Sequence, residues 1–109
     1  MKIRADSKNG ILRICLSGEL DHHAAAGGMR EIDELLDRFI PADCALDLSG
    51  LTFMDSSGIA LILRVHKRMQ ALGGRTAVID PSAQPLRVLD ASGIDRIIKI
   101  AYTAKERAK

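Results

Sequence analysis

Residues 44–59 read Cys44-Ala45-Leu46-Asp47-Leu48-Ser49-Gly50-Leu51-Thr52-Phe53-Met54-Asp55-Ser56-Ser57-Gly58-Ile59. Cys44 to Leu48 is an apolar-rich run of strand length, the pattern of a central strand. Ser49 to Met54 reads as a loop. From Ile59 onward Ile62, Val65, Met69 and Leu72 recur at helical spacing. Gly73-Gly74 then supplies the residue type that closes a helix in the left-handed conformation. Strand, loop and helix in direct succession are the unit from which α/β domains are built.

The flanks extend the same alternation. Upstream, Ile11-Leu12-Arg13-Ile14-Cys15-Leu16 reads as a strand, and Asn9-Gly10 before it is the dipeptide a tight type I′ hairpin prefers. A short first strand near residues 2–6 follows from that turn. Ser17 to Asp21 forms a polar break. After it Met29, Ile32, Leu36 and Phe39 line one face of a helix, which Pro41 closes. Gly27-Gly28 fall in its first turns, and each glycine costs up to about 1 kcal/mol against alanine in a helix. They predict a frayed or late start. Downstream, Thr76 to Ile79 is a strand, Asp80-Pro81-Ser82 opens a helix through about Leu89, and Ile97 to Ile100 is a last short strand. The tail from Thr103 to Lys109 is charged and weakly helical. The expected fold is α/β: a single domain over residues 1–109, with a mixed sheet of four to five strands opened by a hairpin and helices packed on it.

Composition narrows the functions available. The chain of 109 residues is 47% hydrophobic and 28% charged, a globular balance. That length buries one core without metals or disulfides. A formal net charge of +2, with Phe39, Phe53 and Tyr102 as the sole aromatics, is no nucleic-acid footprint. The basic stretch Arg64, His66, Lys67 and Arg68 has helical periodicity and reads as a solvated face. The N-terminus turns polar before any apolar stretch of signal-peptide length, and no run is long enough to span a bilayer, which predicts a cytoplasmic protein without a membrane partner. Cys15 and Cys44 sit in predicted strands as small hydrophobes, so no disulfide is expected.

Asp55-Ser56-Ser57-Gly58 carries the most chemistry. Asp and Ser are helix N-caps, accepting hydrogen bonds from free N–H groups of the first turn, and any helix can begin this way. The same terminus presents unsatisfied donors and the positive end of the helix dipole, which also suit a phosphate on a serine there. Phosphorylation would add about −1.5 to −2 charges.

Gly18-Glu19-Leu20-Asp21-His22-His23, followed after a helix and strand by Phe53-Met54-Asp55-Ser56-Ser57-Gly58-Ile59, closely resembles the sporulation-type anti-anti-sigma factors of the STAS domain family. The resemblance continues through Gly73-Gly74 and Leu89-Asp90-Ala91-Ser92-Gly93-Ile94, and so covers nearly the whole chain. It implies an anti-sigma factor antagonist, not an enzyme, that is a monomer when free and binds no cofactor. The unphosphorylated form would bind an anti-sigma factor that is also a serine kinase, releasing a sigma factor. That kinase supplies the ATP and phosphorylates the first serine of the motif, here Ser56, and a serine phosphatase resets it. Asp55, Ser57, Gly58 and Ile59 would form the rest of the docking patch, with Asp21 meeting the kinase from the neighbouring loop. Many relatives carry a second glycine where this chain has Ala60, a change that firms the first helical turn.

Other readings compete. A nucleophilic Ser56 served by His22, His23 or His66 would make a hydrolase, but the Gly-x-Ser-x-Gly elbow is missing. His22, His23, Cys15 and Cys44 lack metal-ligand spacing. Asp33, Glu34 and Asp37 read as the solvated face of the first helix. No phosphate-binding Gly-x-x-x-x-Gly-Lys-[Ser/Thr] loop is present. The alternative within the same family is a structural or scaffolding module of a larger signalling or transport complex, with Ser56 merely a cap.

Overall fold

Asn9 and Gly10 both take positive φ, 54° and 81°, as a type I′ turn requires. They join β1 (Lys2–Lys8) to β2 (Ile11–Leu20) as antiparallel neighbours. The computed structural model describes residues 1–103. After the hairpin come α1 (His22–Phe39), β3 (Asp43–Met54), α2 (Ser56–Ala71), β4 (Arg75–Ile79), α3 (Ala83–Ser92), a 3₁₀ turn (Ile94–Arg96) and β5 (Lys99–Ala101). The strands form one sheet in the order β1-β2-β3-β4-β5, with β3 central and every pair after the hairpin parallel. This is the mixed α/β sheet expected. The charged tail beyond Thr103 lies outside the described residues.

The core forms where the two periodicities meet. Leu12, Ile14 and Leu16 of β2, Cys44, Leu46 and Leu48 of β3, and Val78 of β4 are buried. Met29, Ile32 and Leu36 of α1 and Leu61, Ile62, Val65 and Met69 of α2 pack into the same cluster. Arg68 of α2 ties the two helices together, bonding Asp33 at 2.8 Å and Asp37 at 2.6 Å on α1. It is therefore half-buried rather than part of a solvated face. Cys15 pairs in register with Asp47, whereas Cys44 pairs with Leu12, so the two thiols point to opposite faces of the sheet and both are free. Burial pushes the Cys44 thiol up to about 12. On the face shared with Cys15, Asp47 is only 4% exposed. It accepts from the Arg13 guanidinium at 2.5 Å and the Ser49 N–H at 2.9 Å. Burial opposes its charge, but these donors outweigh burial and hold its pKa below the ordinary carboxylate value.

Several expectations need correction. The segment Ser49–Met54 is no loop, because β3 continues to Met54 beside β2, and Ser17–Leu20 is likewise strand rather than a polar break. Two register shifts each put one extra residue into β3, opposite Cys15/Ser17 and Gly18/Glu19. They break the alternation that would have marked a strand, while Leu51 and Met54 still point inward, at 1% and 0% exposure. Helix α1 is neither frayed nor late. It starts at His22, with Gly27 and Gly28 in its second turn. Gly28 is where the sheet comes close, since a Cβ there would meet Met1 Cε at 2.5 Å, Leu61 Cδ1 at 3.7 Å and Ile3 Cδ1 at 3.8 Å. Phe39 and Leu72, expected on buried faces, are exposed because each falls at its helix's last residue or C-cap, beyond the sheet's cover. Helix α3 runs on to Ser92, and residues 94–96 form the 3₁₀ turn that delays β5 to Lys99.

Candidate functional site

Strands β2 and β3 end together, and the helices that follow them, α1 and α2, therefore start together. Leu20 and Met54 are register partners at the ends of β2 and β3, and the Asp55 N–H donates to the Leu20 carbonyl at 3.3 Å. Asp21 and Asp55 then occupy the same structural position, each the N-cap of the next helix with extended backbone. Asp21 Oδ1 accepts from the Ala24 N–H at 3.0 Å, and Asp55 Oδ1 from the Ser57 N–H at 2.8 Å. The Ala24 N–H holds the Asp21 carboxyl below its usual pKa. Two capped helix N-termini therefore sit side by side at the carboxyl end of the parallel strands, the edge where α/β sheets place their ligands.

Ser56, the first residue of α2, is exposed. Ser57 is half-buried, and its backbone N–H serves the Asp55 cap. Ile59 is half-buried and packs against the core cluster. Gly58 is buried and offers a partner no surface. A Cβ there would collide with Met54 Cγ, lie 2.6 Å from the Met54 sulfur and 3.2 Å from Leu20 Cδ2. Its part is to let α2 start directly on the two strand ends. Of the sequence-nominated residues, Asp21, Asp55, Ser56 and Ser57 come together at this edge, with Ile59 on the turn behind them.

Three further features border the site. Phe53, whose register partner is Glu19, is 39% exposed two residues before the cap. A groove of about 280 Å³ opens between α1 and α2 beside Ser57, floored by Ala25, Met29, Ala60 and Leu61 and rimmed by His22 and Arg64. Ala60 thus lines this groove. Behind the strand end, the Gln84 side chain of α3 bonds both main-chain groups of Met54, at 2.8 and 3.0 Å. Sequence reasoning passed over Gln84, since a lone glutamine in a helix carries no pattern. Among the described residues no three of His, Cys, Asp and Glu gather as a metal-holding group, and no helix is long and apolar enough to cross a membrane.

A small mixed sheet with two capped helix N-termini brought to one edge defines the class of the domain, a single α/β unit whose candidate site lies at the carboxyl end of its parallel strands. The chain belongs to the STAS domain family, which it matches over residues 2–107. It is 38% identical over 100 residues to the anti-sigma F factor antagonist of Paenibacillus polymyxa, covering 92% of this chain and 86% of that protein. With the anti-sigma F factor antagonist of Lysinibacillus sphaericus it shares 37% over 81 residues, 74% of this chain and 69% of that protein. Among solved structures it is similar to the anti-sigma factor antagonist SpoIIAA in its unphosphorylated form, with a TM-score of 0.79 and 29% identity over 98% of this chain and 93% of that one. For the phosphorylated form of the Bacillus cell fate determinant SpoIIAA the TM-score is 0.70 at 29% identity, covering 98% and 96%.

Proposed function

We propose that residues 1–109 act as one STAS domain that is an anti-sigma factor antagonist, switched by phosphorylation of Ser56. The observation that carries this reading is an exposed serine at the first position of α2, flanked at the same sheet edge by the acid-capped start of α1. Relatives named anti-sigma F factor antagonists, and a structural neighbour solved in both unphosphorylated and phosphorylated forms, support it. Ser56 is exposed, where a kinase can reach it. The positive end of the helix dipole beneath it tolerates the phosphate.

In the unphosphorylated state Asp21, Asp55, Ser56 and Ser57 dock on an anti-sigma factor serine kinase, and the sigma factor is released. Gly58 and Ile59 shape this surface from behind, and the apolar groove beside Ser57 with Arg64 on its rim extends it. The kinase brings the ATP, and the antagonist itself is a monomer without catalysis or cofactor, working in the cytoplasm. Phosphate on Ser56 ends docking because an added dianion must be desolvated in an interface that has no place for it. Opposing or truncating one buried polar contact costs about 2–5 kcal/mol. A serine phosphatase restores the binding form.

Intact-mass analysis after incubation with ATP and the anti-sigma kinase of the same genome tests this directly. One phosphate is expected on the wild type and none on Ser56→Ala. Ser56→Ala should bind the kinase and stay bound, and Ser56→Asp should bind at least tenfold more weakly. Equal affinity of the two variants, or no phosphate from an active kinase, would overturn the reading.

A further inference from the structure

Strand β3 is twelve residues long and β4 only five, and their pairing runs from Asp43↔Arg75 to Asp47↔Ile79. The far half of β3, which delivers the Asp55 cap and Ser56, therefore overhangs with no strand on its β4 side among the described residues. Its β2 side is paired to the end, through Leu20↔Met54 and the Asp55 N–H on the Leu20 carbonyl. Successive residues of a strand turn their N–H and C=O groups to opposite sides. Since Asp55 turns to β2, Met54 turns both of its main-chain groups to the vacant side. Met54 is a core residue with 0% exposure, and buried backbone groups demand partners.

Helix α3 supplies them with side chains. The Gln84 Oε1 accepts from the Met54 N–H at 2.8 Å, and Gln84 Nε2 donates to the Met54 carbonyl at 3.0 Å. A primary amide carries both an acceptor and donors, so one side chain stands in for a strand neighbour. Ser82, the residue before α3, donates its hydroxyl to the Leu51 carbonyl three residues earlier on the same overhang. The β3 end is thus held by β2 on one side and by α3 on the other, two residues before the phosphoacceptor.

We infer that Gln84 is a positioning residue for Ser56: its two-point amide clamp fixes the strand end that aims the acceptor hydroxyl. The inference rests on Ser56 being the acceptor. A reacting group displaced by about 1 Å can lose on the order of a hundredfold in rate. Gln84→Leu keeps the side chain's bulk and α3's helical propensity but removes both bonds. Gln84→Glu keeps the acceptor for the Met54 N–H and sets a carboxylate oxygen against the Met54 carbonyl.

The test is the steady-state rate of Ser56 phosphorylation by the anti-sigma kinase of the same genome, followed by intact mass over a range of antagonist concentrations. Arg87→Ala, an exposed position on the same helix, is the control. Thermal melts confirm that each variant is folded at the assay temperature, and hydrogen exchange is followed on the peptide covering residues 51–58. The expected result is a kcat reduced tenfold or more in Gln84→Leu and Gln84→Glu, a KM changed less than threefold, faster exchange in that peptide, and an unchanged Arg87→Ala. Wild-type kcat in both folded Gln84 variants overturns the inference while leaving Ser56 as the acceptor. Absence of phosphate on the wild type itself removes the Ser56 reading and the positioning role with it.

Discussion

Replacing Gly58 by alanine tests whether the start of α2 is seated on the strand ends as tightly as the geometry says. The added Cβ would collide with Met54 Cγ and lie 2.6 Å from its sulfur and 3.2 Å from Leu20 Cδ2. Carbon atoms pack best at about 3.5–4.0 Å. Met54 and Leu20 are both fully buried, so neither can swing into solvent to make room. Overpacking of this kind costs about 1–3 kcal/mol, and two close contacts with one residue's stem and sulfur put Gly58→Ala at the upper end. Alanine's better helix propensity returns up to about 1 kcal/mol. The net is a loss of about 2 kcal/mol. For a domain of this size that lowers Tm by roughly 8 °C or more, readable in a circular dichroism melt and in the urea midpoint. A double-mutant cycle assigns the cause. Met54→Ala alone costs about 2–5 kcal/mol as a cavity, and because it vacates the space the new methyl needs, the double variant should lose less than the sum of the two singles. Gly58→Ala as stable as wild type, or strictly additive with Met54→Ala, would refute the tight-seat argument.

Two other substitutions probe the frame around the site. Arg13→Ala strands the buried Asp47 carboxylate, and because Arg13 itself is 43% exposed the loss is discounted to about 2 kcal/mol at pH 7. Asp47's folded-state pKa is lowered, so its contribution is complete above the ordinary carboxylate pKa of about 4 and is lost as pH falls through the folded value. The stability gap between wild type and variant should therefore narrow in urea titrations taken below that pH, and an equal gap at pH 7 and pH 3 would show that Arg13 acts through its stem and not its charge. Gly27→Ala should stabilise by about 0.5–1 kcal/mol, since Gly27 lies inside α1 with helical backbone and its Cβ would meet only the Arg30 side-chain end at 3.8 Å. A lower melting temperature would mean that the surface of α1 around Gly27 is less open than the structure shows.

The elements that could be read from the sequence were those with an uninterrupted period. Ile32 and Leu36, Ile62, Val65 and Met69 keep helical spacing, and all five are fully buried. Asn9-Gly10 marked its turn because only a few residue types accept positive φ at two successive positions. The far half of β3 was not legible, because the two extra residues opposite β2 shift the inward positions from the even-numbered Leu46 and Leu48 to Leu51 and then Met54. Gly27-Gly28 misled for a related reason. Propensity counts each glycine against a helix, while the packing of Gly28 under Ile3, Leu61 and Met1 is a tertiary fact that outweighs it. At the site, Asp55 and Ser56 announced themselves as capping residue types, whereas Asp21 was nominated only by the family resemblance and its role as the α1 cap is visible only in the structure. Gln84 could not announce itself, since its meaning lies in the overhang of β3 beyond β4, which is visible only once strand lengths and register are known.

The way the two caps are used bears on how a phosphate could act. Both carboxylates already accept a helix N–H, Asp21 from Ala24 and Asp55 from Ser57, so each is committed within its own helix start. Phosphate on Ser56 would join an edge where the helix dipole favours negative charge but two negative groups are already seated. The α2 terminus and surrounding water can offset the added charge while the surface is exposed, so the fold has no reason to yield. Once a partner covers that surface, water is excluded, and a dianion left without matched donors costs several kcal/mol. On the proposed reading the same phosphate would thus be tolerated by the free domain and rejected by the complex. This difference between the two states is what a switch requires, since a modification with equal effect on both would shift no equilibrium. It would also explain why Ser56, the proposed acceptor, stands on a strand-to-helix junction held by β2, Gln84 and the Gly58 seat rather than on a loop. A loop could move a phosphorylated side chain out of the interface, and the penalty would vanish.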